Sequence, residues 1–230
     1  MKIFILVVLL LTFFSVCAFA QQDQDYVGRF NSFAGFTFLD TPKMNLTQRG
    51  FIAEEGIAIN RWLNFGADFS ILSGHSGLKI GDMIPADRTP VLAYFGPYGV
   101  TDSYAIPYNS TTSTYCAGPQ INFRNIKRLK RVTLFFQPEI GAIHQAVTAD
   151  PKTTLDTTLV AALVPGGTRS DTTYFYGIGG GAQYDLCKHF GVRVVADFVH
   201  HHLFSGMLAD SRNSLRVGVG PSFTFGRNVK

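Results

Sequence analysis

The sequence predicts an all-β chain folded as an eight-stranded antiparallel up-and-down transmembrane β-barrel. Three observations carry this. Eight segments alternate apolar and polar residues with period two. Each is long enough for a tilted strand of about 9–11 residues to cross a bilayer. The connections between them alternate short and long, as expected when turns lie on one side of a membrane and loops on the other.

The first 20 residues precede this pattern. Lys2 is followed by an almost unbroken apolar run from Ile3 to Phe14 and by Ala18-Phe19-Ala20 before Gln21. This is the layout of a secretory signal peptide with a small-residue cleavage site, so residues 1–20 are expected to be removed and 21–230 to form one barrel domain. Cys17 falls in the discarded segment, and Lys2 is its only charge, so the net charge of +4 drops to +3. No second apolar run approaches the roughly 20 residues of a transmembrane helix.

The strands follow in order. Phe30–Phe38 opens the set, with Ala34, Phe36 and Phe38 on one face, and Gly50–Ile59 comes second. After the tight turn Asn60-Arg61, Trp62–Ile71 sets Leu63, Phe65, Ala67, Phe69 and Ile71 against Asn64, Gly66, Asp68 and Ser70. Thr112–Arg124 sets Tyr115, Ala117, Ile121 and Phe123 against Cys116, Gly118, Gln120 and Asn122. Val132–His144, Thr172–Leu186 and Phe190–His200 continue the pattern. Leu215–Phe225 closes it, with Leu215, Val217, Val219, Phe223 and Phe225 opposite Arg216, Gly218, Gly220, Ser222 and Thr224. An even number of strands returns both ends to one side.

Short connections fall at Asn60-Arg61, Asn125–Lys130 and Cys187–His189; long ones at Leu39–Arg49, Ser73–Thr111, Gln145–Asp171 and His201–Asn213. The basic run Lys127–Arg131 reads as a solvated turn, which argues against a nucleic-acid partner. Asp156–Val164, stopped by Pro165-Gly166-Gly167, reads as a short helix. The Ser73–Thr111 loop carries Tyr94, Phe95, Tyr98 and Tyr104 among prolines, either as anchors for an extracellular ligand or packed over the barrel mouth.

A soluble eight-stranded barrel would bury the apolar face and expose Asp68, Glu139, Arg193 and Arg216. Rows of aromatic and aliphatic residues opposite glycines favour the membrane arrangement instead. The inward set then contains Glu54, Asp68, Glu139, Asp185 and Asp197 against Arg124, Arg193 and Arg216. In so narrow a lumen these charges are expected to form an ion-pair network, because isolated buried charge is too costly. Arg193 and Asp197 are candidate partners on one face, and small wet chambers are expected above and below the plug. Two features resist the pattern. Pro119, Pro138 and Pro221 lie inside strands, where bulges or lost ladder bonds are expected. Glu55 falls on the lipid face, which suggests a higher placement or a local register slip.

Together with Ala117-Gly118-Pro119-Gln120-Ile121-Asn122-Phe123 and its echo Val219-Gly220-Pro221-Ser222-Phe223-Thr224-Phe225, the alternation and loop asymmetry over residues 26–226 resemble the small outer-membrane β-barrel family, which includes the OmpA-like transmembrane domain and the porin family proteins. The resemblance implies residence in the outer membrane, with its lipids as partners. It also implies recognition of the last strand by the outer-membrane assembly machinery, although here Gly226–Lys230 follows the aromatic Phe225. The periplasmic peptidoglycan-binding domain of larger members is not expected.

Chemistry beyond this is thin. His200 and His202 share a side of their strand while His201 faces the other, and two imidazoles fall short of a zinc site. His144, His202 and Ser205 offer ingredients for an outer-wall acyl hydrolase without a nucleophile motif. Cys116 and Cys187 lie on distant strands, so a disulfide is not favoured. The reading is a barrel with a structural or surface-interaction role, not an open pore and not an enzyme, without metal or cofactor. A small solute channel or a lipid-modifying enzyme is the alternative.

Overall fold

The computed structural model describes residues 26–124, 131–209 and 212–229. The expected signal peptide and most of the basic turn at 125–130 lie outside these residues. Eight strands close into one antiparallel barrel in sequence order: β1 (Gly28–Thr41), β2 (Leu46–Ala58), β3 (Leu63–Lys79), β4 (Ala105–Phe123), β5 (Val132–Ala149), β6 (Thr168–Asp185), β7 (Phe190–His201) and β8 (Arg212–Asn228). β1 closes the ring on β8, with Phe36 opposite Val219 and Asp40 opposite Leu215. Closure leaves no free sheet edge. Among the described residues no helix is long and apolar enough to cross a membrane.

The barrel is inverted relative to a soluble one. Phe36 is 75% exposed and Ile140 65%, while Arg216 is 1% exposed. Outward aromatics gather at two levels. Phe30, Trp62, Phe123, Tyr184 and Phe225 sit near the short-turn end, and Phe38, Tyr115, Tyr174, Tyr176 and Phe198 sit at the level where alternation fades. Such paired girdles bracket the apolar band of a membrane barrel.

The strands run past this band on the loop side. Ser73–Lys79 of β3 pairs residue by residue with Ala105–Thr111 of β4, although neither stretch alternates. Period two of this phase marks a boundary between lipid and lumen; above the bilayer the outward face meets water and inward residues such as Ile106 are buried among apolar neighbours, so the lipid-facing signal ends while the hydrogen-bonded ladder continues. The expected loops Leu39–Arg49 and Ser73–Thr111 are correspondingly shorter than the sequence suggested.

The three prolines cost ladder contacts, not register. Pairing between β4 and β5 lapses from Ala117–Ile140 to Ile121–Phe136, and the two prolines Pro119 and Pro138 fall in that one gap. Pairing of β8 with β1 lapses between Ser222 and Val219, beside Pro221. Two residues without N–H donors thus share a single interruption.

Glu55 is neither displaced nor slipped. It points outward, opposite Ser32 on β1 and Ala67 on β3, in unbroken register. Glu55→Leu is therefore expected to stabilise the barrel in lipid vesicles by about 1 kcal/mol, below the penalty of a midplane cation. Urea unfolding of the two proteins measures it, and an equal or lower midpoint for the variant contradicts a lipid-facing Glu55.

Above the barrel sits a folded cap. Helix α1 (Pro85–Phe95) was hidden in the sequence by Pro90; it begins with Pro85, where a missing donor is harmless, and buries Val91 and Phe95. Helix α2 (Thr154–Leu163) matches the expected short helix. Val91, Phe95 and Leu159 pack with Ile143, Phe175, Val199 and Leu203 in one apolar core. That core fills the space above the ion pairs where a wet chamber was expected.

Candidate functional site

The lumen is the densest concentration of functional groups, and the alternation of each strand puts them there. The charges split into two storeys. In the upper one, Arg216 of β8 lies directly opposite Asp197 of β7 in the register, and its Nε donates to Asp197 Oδ2 at 2.8 Å. Nη1 donates to Asp68 Oδ1 at 2.8 Å and to Thr114 Oγ1 at 3.0 Å. Nη2 reaches Asp68 Oδ2 at 3.1 Å and Glu139 Oε2 at 3.4 Å. One guanidinium thus serves three carboxylates through its fixed fork of donors.

Glycines make the room. A Cβ on Gly179 would stand 2.2 Å from Asp197 Oδ1, and one on Gly177 3.1 Å from Glu139 Oε1. Both glycines are the register partners of those acids.

The lower storey centres on Arg193. Its Nη1 donates to Glu54 Oε1 at 2.8 Å, its Nε and Nη2 donate to Gln183 Oε1 at 3.1 and 2.7 Å, and Nη2 also bonds Asn31 Oδ1. The guanidinium lies over Phe135 at 5.0 Å and Phe33 at 5.7 Å from the ring centroids. Glu54 and Asp68 are cross-strand partners, so adjacent acids go to different arginines.

The anticipated Arg193–Asp197 pair does not form, since four residues along a strand span about 13 Å. Arg124 and Asp185 lie lower still and are not joined to each other by an ion pair. Asp185 accepts from Gln183 Nε2 at 2.7 Å, and Arg124 donates to the Arg61 carbonyl and to Thr133. Asn31, Thr114, Cys116 and Gln183 were overlooked as members of the network. They carry no charge, and the only sequence signal was their place on the inward side of the alternation.

Asp68, Cys116 and Glu139 offer ligand atoms within 4.8 Å of one another. The Cys116 thiol donates to Asp68 Oδ2 at 2.6 Å and Glu139 Oε2 at 3.1 Å, and Arg216 Nη2 faces the same three atoms. The guanidinium stands where a metal cation would, so this group is a cation site already filled by the chain itself. Cys116 and Cys187 are both buried and are not joined in a disulfide.

On the outer wall, His200 Nδ1 lies 2.7 Å from Asn213 Oδ1. Its ring packs against Tyr176 and His202, at centroid distances of 5.0 and 5.1 Å. An oriented imidazole is present there, set between two further aromatic rings. Ser205 is exposed on the loop that follows β7, between buried Phe204 and Met207.

In the cap, Tyr104 OH donates to Asp156 Oδ1 at 2.7 Å, tying the Ser73–Thr111 segment to α2. Asp156 also closes a capping box with Thr153. Burial alone would raise the Asp156 carboxyl, but hydrogen bonds from Tyr104 and from the Lys152 and Thr153 N–H groups outweigh it and hold it below the usual carboxylate range. A depressed folded-state value gives stability that is complete above the unfolded value and is lost as pH falls through the folded one. The protection of the α2 amides, their exchange relative to the intrinsic rate at each pH, should therefore fall as pH drops through the acid range, and Thr153→Ala should cost about 1 kcal/mol of local stability at neutral pH. Protection in α2 that is insensitive to both changes would remove the cap from this account. Tyr94 and Tyr98, by contrast, stay exposed at the tip.

No protein-family model matches the sequence, and no curated protein matches it. Among solved structures, the chain is similar to Ail, the attachment invasion locus protein of Yersinia pestis, in complex with the heparin analogue sucrose octasulfate. The identity is 16%, over 86% of this chain and 99% of that one, with a TM-score of 0.44. It is similar to Neisserial surface protein A at 8% identity, over 85% and 96% of the two chains, TM-score 0.49. It is also similar to the outer membrane protein OprG of Pseudomonas aeruginosa at 9% identity, over 90% and 100%, TM-score 0.48.

Proposed function

We propose that this chain is an integral outer-membrane barrel, closed to bulk solutes, that anchors a folded cap at the cell surface in a structural or interaction role. The observation that carries this reading is the inversion of the barrel: an apolar outer band framed by two aromatic girdles, around a lumen crossed by the Arg216 and Arg193 networks. Eight strands leave room only for side chains, and here those side chains are locked by charge-assisted bonds with an apolar core above them. The partners on this reading are outer-membrane lipids along the band, the assembly machinery at β8, and an extracellular ligand at the cap, where Tyr94 and Tyr98 are the exposed aromatic anchors. On this reading the role is non-catalytic, since the sequence around His144, His202 and Ser205 carries no nucleophile motif.

Two measurements test this. Protein refolded into a planar bilayer is expected to give no steady, large single-channel current; such a current would make it a channel instead. On intact cells, an amine reagent should label Lys79, at the loop end of β3, and should reach Lys127 only after the outer membrane is permeabilised. The reverse pattern would invert the topology.

A further inference from the structure

The cap contains a partly open apolar pocket with about 60 Å³ of interior space, lined by inward residues at the tops of β3 to β6 and flanked by α2 and the loop after β7. Leu78, Ile106, Val147, Leu163 and Met207 form much of its wall. At roughly 10–15 Å³ per water-sized group, it has room for about four to six heavy atoms. Walls of this kind favour apolar groups over water.

Two further observations give the cavity a polarity. Arg169, at the loop end of β6, lines it while remaining exposed. Its Nη1 contacts only a thioether, Met207 Sδ at 3.4 Å, and no carboxylate among the described residues pairs with it. Tyr108 lies on the other side of β5, since Tyr108 is opposite Ala149 and Arg169 opposite Val147. Its ring also lines the cavity, and its hydroxyl is buried without a hydrogen-bond partner. Ser76 lies nearby and donates to the carbonyls of Met44 and Asn45.

From this we infer that the cap is a binding site for a small aliphatic carboxylate, its alkyl chain in the cavity and its carboxylate on Arg169. The chemistry selects the charge: an alkyl chain gains by leaving water, and an anion gains beside a guanidinium that has no carboxylate partner among the described residues. The source is the external medium. The cavity lies inside the ring of strands and above the outward apolar band, so an acyl chain still held in the bilayer does not reach it. The inference goes beyond the role proposed above and rests on the fold alone.

Titration calorimetry on the full chain refolded in nanodiscs, with empty discs as blank, tests it using hexanoate, 1-hexanol and hexylammonium. Hexanoate is expected to bind saturably and about fivefold or more tighter than hexylammonium, the scale of an exposed charge pair. Arg169→Gln should abolish that preference and leave hexanol unchanged. Leu163→Trp, which fills the cavity from α2, should weaken all three ligands while the heat-modifiable gel shift shows the barrel intact. The inference is overturned if hexanoate does not saturate above the blank or binds no better than hexylammonium. It also falls if Arg169→Gln keeps the preference, or if Leu163→Trp leaves hexanoate binding as before.

Discussion

Replacing Arg216 with Met is expected to lower the unfolding free energy of the barrel in lipid vesicles by about 3–5 kcal/mol, the scale of a broken buried ion pair. The side chain is 1% exposed, and its donors are shared among Asp68, Glu139 and Asp197. Methionine restores most of the volume and none of the donors. Three carboxylates then face one another in a space that water enters poorly, and Glu139 Oε1 already lacks a partner. The loss should be hard to repair with a single second change. Arg216→Met/Glu139→Gln still leaves Asp68 and Asp197 charged, whereas also changing those two to Asn should recover most of the stability, because neutral side chains of similar shape carry no unpaired charge. An unchanged urea midpoint for Arg216→Met would sink the idea that this network is buried as described.

Arg193→Met is expected to cost about 3 kcal/mol, the lower end of the same range, since it strands one carboxylate and not three. Its charge is matched by Glu54, and its remaining donors go to the neutral groups of Gln183 and Asn31. Gln120 Nε2, 3.5 Å from Glu54 Oε1, offers weak compensation. Here one second change should suffice: Arg193→Met/Glu54→Gln is expected to return most of the loss. A double-mutant cycle reports the coupling directly. If Glu54→Gln rescues Arg216→Met as well as it rescues Arg193→Met, the two storeys are one network and this division is wrong.

These two arginines also show how far the sequence could be read. Arg193 and Arg216 occupy inward positions of alternating strands, so their burial with opposite charge was legible. Their partners were not. Glu54 meets Arg193 across 139 positions of sequence, and Asp68 meets Arg216 across 148. The nearest same-face acid to Arg193, Asp197, went elsewhere because spacing along a strand separates residues that closure of the ring does not. Glu55 shows the same division. Its outward face followed from alternation, but only the register showed that nothing had slipped.

The sequence by itself determined the eight membrane-crossing segments, the side on which each of their residues lies and the place of the short turns. Contact with lipid on one face and lumen on the other imposes a period that is local in the chain. Only the tertiary structure decided which acid each arginine holds, that Gly177 and Gly179 clear space for those acids, that Pro119 and Pro138 share one gap, and that α1 and α2 close over the mouth. Each of these is set by the register and closure of the ring, which bring together residues far apart in the chain, and no local period records such a meeting.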